Sequence, residues 1–333
     1  MTNFVLRRVG RAAITLALVL VATFAMTRVA YRNPAATLLP RNATGQQVEA
    51  IKNALHLNEP WLEQFWHYAF RGPAIANVPT GLARWPPSLG YSFHQQTAVM
   101  PLLLSKISAT ASLALGAVAI WMVLSVIFGA LSARRPGSWT DRILSGFSYL
   151  GLAIPMFVTG VLLSYFLFFK LSQVGVHWFP NGGYVPLSTN PVEWARHLAL
   201  PWATLVIAEV GVFQRVVRAS MLETLGADYI RTARAKGIRE QRVYFDHALS
   251  AALTPVITLG GLELAYILGG GVVVESIFGI DGVGRLALTS ALNGDFPVVL
   301  GATLFASLVF IVSTLGVDVI NRLRDPAAGT TVH

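Results

Sequence analysis

Ala109-Thr-Ala-Ser-Leu-Ala-Leu-Gly-Ala-Val-Ala-Ile-Trp-Met-Val-Leu-Ser-Val-Ile-Phe-Gly-Ala-Leu-Ser-Ala133 is a run of 25 residues without a charged side chain, closed by Arg134 and Arg135. A helix needs about 20 mostly apolar residues to cross a bilayer, so this stretch by itself predicts a membrane span. The rest of the chain agrees. Of its 333 residues 54% are hydrophobic and only 12% charged, where soluble domains carry about a quarter charged. The mean hydropathy is +0.58.

Five further segments read as spans on either side of it. Ala12–Ala30 carries one charge, Arg28, near its end. Ile143–Phe169 is uncharged with Pro155 inside, and Leu198–Phe213 is shorter and contains Glu209. Pro255–Val274 contains Glu263, and Phe296–Val317 is uncharged. The first segment follows Arg7, Arg8 and Arg11, as the apolar core of a signal peptide does. It is long for such a core, and Thr27-Arg28-Val29-Ala30 makes a poor cleavage site, so an uncleaved span is expected.

Cytoplasmic loops of membrane proteins are enriched in Lys and Arg. Placing the N-terminus inside puts 15 of the 25 basic residues on the cytoplasmic side. The expectation is an all-α polytopic protein of six transmembrane helices with both termini cytoplasmic. Residues 1–30 form the tail and first span, 31–106 an extracytoplasmic segment, 107–322 the five-span core, and 323–333 a cytoplasmic tail. The net charge of +9 serves orientation here, and no nucleic-acid partner is expected.

The external segment reads as structured. Thr44 and Gln47 form a capping-box pair ahead of Val48, and Asn58-Glu59-Pro60-Trp61 reads as a second helix start with Pro in its first turn. Trp61, Leu62, Phe65, Trp66, Ala69 and Phe70 then recur at helical spacing. These aromatics suit the membrane surface, a small core of the segment's own, or a docking face for an external partner. Asn42-Ala43-Thr44 has the form of a glycosylation acceptor. Arg71–Ser92, rich in Pro and Gly, reads as an irregular loop. Leu171–Arg196, with Gly182-Gly183, reads as a shaped external loop.

Several chemistries lack their residues. There is no cysteine, which removes disulfides, thiolate metal ligands and thiol catalysis. The seven histidines show no metal-ligand spacing, and His247 reads as structural. No phosphate loop of the Gly-x-x-x-x-Gly-Lys-Ser/Thr form is present. No catalytic constellation and no cofactor of the chain's own are expected.

The loop after the fourth span, about residues 214–253, carries the most information. It runs Arg218-Ala-Ser-Met-Leu-Glu223-Thr-Leu-Gly226-Ala-Asp228-Tyr229-Ile230-Arg231-Thr232-Ala233-Arg234-Ala235-Lys236-Gly237. Gly226 reads as a left-handed helix end, Asp228 as an N-cap, and Gly237 as the end of a two-turn helix. So short a helix is marginal in water. Its Ile230 and Ala233, flanked by Arg231, Arg234 and Lys236, suit a groove on a partner protein or anionic lipid headgroups, and the residues alone do not decide between these. Glu209 and Glu263, with Tyr266 one turn on, are candidates for a path through the bilayer, because charges there usually face an internal cavity. The alternative for the two glutamates is a hydrogen-bonded structural role, toward a partner subunit for instance.

Asp228 to Gly237 resembles the coupling loop of the dipeptide/oligopeptide/nickel permease family of ABC importers. Its surroundings resemble that family too. They include His247-Ala-Leu-Ser-Ala-Ala-Leu-Thr-Pro255, Gly270-Gly271-Val-Val-Val-Glu275-Ser-Ile-Phe278, Gly282-Val-Gly284, Asp295-Phe-Pro297-Val and Asp318-Val-Ile-Asn-Arg-Leu-Arg-Asp325-Pro326. Leu6-Arg7-Arg8, Leu55-His-Leu57-Asn-Glu-Pro60 and Ser88-Leu-Gly90-Tyr-Ser92-Phe93 resemble the first permease of the pair. Arg231 stands where the general motif of such importers has glutamate, as is usual in the peptide subfamily, and the chain departs from the family at Tyr31-Arg32-Asn33-Pro34 and at Glu209. The resemblance implies a MetI-like permease core in a bacterial inner membrane, half of a pore for peptides, or for nickel, glutathione or another small solute. It implies a second similar permease, two cytoplasmic ATPases carrying ATP and magnesium, and an external substrate-binding protein. Glu223 and the residues Asp228 to Gly237 would couple to the ATPases. A different machine, an ion-coupled carrier using Glu209 and Glu263, predicts an internal repeat of spans, and none is evident.

Overall fold

The computed structural model describes residues 2–30, 44–54, 56–269 and 271–324. Tyr31-Arg32-Asn33-Pro34, the Asn42 acceptor and Asp325-Pro326 lie outside them. In chain order the helices are α1 (Thr2–Ala30), α2 (Gly45–Ala54), α3 (Trp61–Ala69), α4 (Val99–Arg134), α5 (Trp139–Ala153), α6 (Met156–Leu163), α7 (Leu171–Gln173) and α8 (Pro191–Leu225). They continue with α9 (Asp228–Ala235), α10 (Glu240–Arg242), α11 (Ser250–Leu268), α12 (Val272–Ile277), α13 (Val283–Leu292) and α14 (Phe296–Arg324). Two wider π-helical turns, Ser164–Lys170 and Val243–Leu249, join α6 to α7 and α10 to α11.

Among the described residues six helical stretches are long and apolar enough to cross a membrane: Gly10–Thr27, Val99–Arg134, Met156–Gln173, Pro191–Leu225, Glu240–Leu268 and Phe296–Leu323. The count matches the sequence reading, but the boundaries move; the fourth stretch, read as Leu198–Phe213, runs Pro191–Leu225. The third stretch starts at Met156, not Ile143. Proline disfavours helical geometry in the residue before it, and Ile154 is extended ahead of Pro155, which splits the apolar run into α5 and α6. The fifth begins at Glu240 and ends at Leu268, so Gly269 and Gly271 lie between α11 and α12. The second begins at Val99, because Lys106 does not stop the helix: its ammonium pairs with Asp281.

The chain forms two compact units. One comprises Met1–Thr110, Leu268–Val272 and Asp281–Ile311. Its core contains Leu89, Val99, Leu102, Leu103, Val283, Leu286, Val298 and Ala302. The capping box forms as read: the Thr44 N–H donates to Gln47 Oε1 at 2.9 Å, and the Gln47 N–H reaches Thr44 Oγ1 at 3.4 Å. The stretch expected to be irregular holds two small antiparallel hairpins, β1 (Gly72–Ile75) with β2 (Val78–Thr80) and β3 (Tyr91–Ser92) with β4 (Thr97–Ala98). Ala76 and Asn77 both take positive φ, 48° and 64°, which a two-residue hairpin turn of the mirror-image type requires.

This unit also brings together two motifs about 200 residues apart. The buried Asp295 carboxylate accepts from Ser92 Oγ and from the backbone N–H groups of Phe93 and His94 at 3.4 and 3.3 Å. Thr110 Oγ1 accepts from the Val283 N–H at 2.9 Å and so anchors the start of α13 on α4.

The second unit comprises Ala111–Ile267, Val273–Ile280 and Val312–His333. Its helices approach through glycine, as small residues allow in membranes. A Cβ on Gly211 would lie 2.5 Å from the Ser148 carbonyl oxygen, and one on Gly151 2.5 Å from that of Ile207, so α5 and α8 meet backbone to backbone. Gly116 and Gly129 of α4 admit Trp202 and Val217 of α8 in the same way. Gly260 and Gly261 make room for Met122 and Val317, which accounts for that glycine pair by packing. Gly182, at φ +73°, lies so close to the Phe278 carbonyl that no side chain fits, and the Gly183 N–H donates to that oxygen at 2.8 Å. The Leu171–Arg196 loop is therefore shaped, as expected.

Candidate functional site

The site lies in the second unit, where α8 ends, α9 follows and α10 leads into the next span. Its geometry begins with two turns. The helix α8 ends at Gly226, which stays right-handed at φ −83°; the expected left-handed end is absent. The chain reverses at Ala227 instead, whose extended backbone (φ −70°, ψ 149°) makes it the N-cap of α9. Asp228 is thus the first helical residue, not the cap. Its carboxylate still favours the positive end of the helix dipole, and it meets Arg231 Nη1 at 3.3 Å in full exposure.

The other end of α9 is as read. Gly237 is left-handed at φ +75°. Its N–H donates to the Arg234 carbonyl at 2.9 Å, and the Ile238 N–H reaches back to the Ala233 carbonyl at 3.3 Å. These two bonds complete a Schellman motif, and Ile238 and Ala233 are the apolar pair that accompanies it.

Ile230 and Ala233 are buried against the chain itself, with the turn Val243–Leu249 packed beside them. The expectation that these two form the contact face is therefore corrected, since side chains this deeply buried are not the ones presented. They brace the helix. Tyr229, Arg231, Thr232, Arg234, Ala235 and Lys236 are exposed and make up the presented face, and Glu223 is exposed on the last turns of α8. Arg234 also grips Glu240 with two bonds, Nη2 to Oε1 at 2.8 Å and Nε to Oε2 at 3.1 Å, which ties α9 to α10. An exposed pair of this kind adds little stability, but two parallel bonds fix direction.

The loop is anchored to the ends of its neighbours. Tyr244 Oη donates to the Ala130 carbonyl near the end of α4. Arg218 of α8 donates Nε and Nη2 to the two oxygens of Asp141 at 2.7 and 2.8 Å. Asp141, 4% exposed, also accepts from Ser132 of α4, from Ser145 at 3.3 Å, and from the Gly137 N–H at 2.8 Å. The Arg218 guanidinium, aided by Ser132 and Gly137, holds the Asp141 carboxyl well below the usual carboxylate range, against the opposing pull of burial. Sequence reading passed over Asp141, because one aspartate after a turn carries no visible partner; its partner is 77 residues away.

Glu209 of α8 and Glu263 of α11 are both half-buried within their spans. Tyr266, on the turn after Glu263, is exposed. Among the described residues no group of three or more His, Asp or Glu side chains is placed to hold a metal ion.

Comparison with known proteins adds the following. Residues 125–329 match the family described as binding-protein-dependent transport system inner membrane component, and residues 1–114 match the N-terminal part described for such membrane components. The chain is 34% identical over 326 residues to the probable peptide ABC transporter permease protein y4tP of Sinorhizobium fredii, covering 97% of this chain and 98% of that protein. It is 33% identical over 329 residues to the oligopeptide transport system permease protein AppB of Bacillus subtilis, covering 98% and 99%. Among solved structures it resembles the MetNI methionine ABC transporter in inward-facing conformations. There the TM-score is 0.50 at 18% identity, over 68% of this chain and 97% of that one, a likeness of fold.

Proposed function

The chain belongs to the family of binding-protein-dependent transport system inner membrane components and is a permease subunit of an ABC importer in a bacterial inner membrane, and on that premise we propose that it imports di- or oligopeptides and that α9 is its coupling helix. The cargo rests on the relatives, whose names specify peptide and oligopeptide transport. Family membership implies an ATPase and a substrate-binding protein as partners. The finer assembly has a second similar permease, two cytoplasmic ATPases that carry ATP and magnesium, and a binding protein outside. Both termini and α9 face the cytoplasm in this reading, in keeping with the basic residues around α9.

One observation carries the mechanism. The helix α9 is a short rigid piece, closed by a full Schellman turn at Gly237 and joined by Arg234 to Glu240. Its neighbours, α8 and the turn Val243–Leu249, are themselves fastened to the ends of α4 and α5 through Asp141 and Tyr244. A push on Tyr229, Arg231 or Lys236 therefore passes to several spans at once. The ATPase dimer binds this face differently in its open and closed forms, and that difference in contact energy shifts the spans between two arrangements. Glu209, Glu263 and Tyr266 line the path in this reading, and the carboxylates receive the amino group of a peptide.

Gly237→Val tests it. Space around Gly237 is open, with nothing within 4 Å of an added Cβ, so the substitution acts on the backbone, where a left-handed β-branched residue costs about 1–2 kcal/mol. The folded protein should remain in the membrane while peptide uptake falls at least tenfold and the assembled ATPases go on hydrolysing ATP. Uptake at the unsubstituted level would refute the assignment of α9. Transport of glutathione in place of longer peptides would leave α9 standing and change the cargo.

A further inference from the structure

The helix α3 exposes a largely aromatic side. Gln64 is 7% exposed and buries its side chain, with its amide donating to the carbonyls of Leu57 and Glu59. On the opposite side Leu62, Trp66 and Phe70 form a stripe at i, i+4 and i+8. They are 82, 58 and 43% exposed, and Trp61 beside the helix start is 59% exposed. Trp66 and Phe70 stack with ring centres 4.2 Å apart, which consolidates one apolar surface. An exposed aromatic stripe of this kind marks a surface that meets a membrane or another protein.

The packing of α3 says what it meets. Phe65 sits edge-to-face on Phe24 of α1, with ring centres 5.3 Å apart. Phe24 is less than one helical turn from Thr27, where the apolar window of that span closes. The helix thus rests on the last turn of a membrane span. At 3.6 residues per turn Leu62 lies about 60° and Trp66 about 100° around the helix from Phe65, so the stripe begins on the flank next to α1. At the same end of α1, Met26 and Val29 are 71 and 69% exposed, as lipid-facing positions are.

We propose that α3 is an interfacial helix, lying on the membrane at the end of the first span away from the N-terminus, with Leu62, Trp66 and Phe70 in the boundary between headgroups and acyl chains. Tryptophan and other aromatic rings favour that depth, with an apolar body and a tolerance for a wet edge. The helix anchors the segment that carries β1 to β4 to the bilayer surface, so that segment keeps a fixed height on the membrane. The proposal rests on the chain's being a membrane protein and is independent of its cargo.

The chain has no cysteine, so Leu62→Cys creates a single attachment point on an exposed side chain. The full permease, with its partner subunits, is placed in phosphatidylcholine nanodiscs and labelled there with an environment-sensitive fluorophore. Lipids brominated near the headgroup end of the acyl chain should quench the label at least about twofold, as expected for a group at the aromatic-belt depth. The same label at Arg84→Cys, exposed in the following loop, should be unaffected. Phe70→Cys repeats the measurement at the other end of the stripe. A water-like emission unchanged by brominated lipid at both positions would overturn the proposal. So would an emission that becomes apolar only when the external binding protein is added, since the stripe would then be that protein's docking face.

Discussion

Asp141 gathers five donors from four places in the chain, and Arg218 is its charged partner. Removing one member of a buried pair leaves the other uncompensated. Asp141→Asn should cost about 2–3 kcal/mol, reduced from the fully buried case because Arg218 is partly open to solvent. The sign of the pH dependence follows from the lowered pKa. The pair's contribution is present above the ordinary carboxylate range and is lost as pH falls through the folded value, which lies below that range. The gap in melting temperature between the parent and Asp141→Asn should therefore stay constant from about pH 5 to pH 8 and close only in strong acid. A gap that changes near neutrality would mean that another group titrates there. No residue pattern signals this hub. A lone Asp and a lone Arg read as surface charges until the fold joins them, whereas Gly237 announces its left-handed turn by residue type alone.

At the level of elements the glycines decide which helices touch. Gly211→Ala forces a Cβ against the Ser148 backbone oxygen, which no side-chain rotation relieves. Overpacking of this kind costs about 1–3 kcal/mol. Gly146→Ala in the neighbouring helix α5 meets nothing within 4 Å and should stabilise by about 0.5–1 kcal/mol, the helix preference of Ala over Gly. Thermal unfolding of the two variants in detergent should move in opposite directions; a shift of the same sign would show that α5 and α8 do not meet as described. The six apolar runs were legible because lipid demands long uninterrupted helices. Their ends were not. Pro155 splits a run that hydropathy alone reads as continuous, and Lys106 fails to end α4 because Asp281 pairs with it. The hairpin at Ala76-Asn77 was missed because its turn lacks the Asn-Gly signal. For α9 the length and the C-terminal turn were readable. Which side faced outward was not, since Ile230 suits a partner's groove as well as its own chain's core.

For the whole molecule the account joins a permease of known family to a direction of transport and a source of energy. Two half-buried carboxylates within the spans, on α8 and α11, are also what an ion-coupled carrier would use, so energy source is where the two machines part. The measurement is uptake of a radiolabelled dipeptide into proteoliposomes holding the purified complex. The binding protein is supplied outside, and ATP with magnesium either inside or absent, with and without a proton gradient. The account predicts accumulation above the outside concentration only when ATP is present on the side that α9 faces, unchanged when the proton gradient is collapsed. Accumulation that persists without ATP and vanishes with the gradient would contradict it.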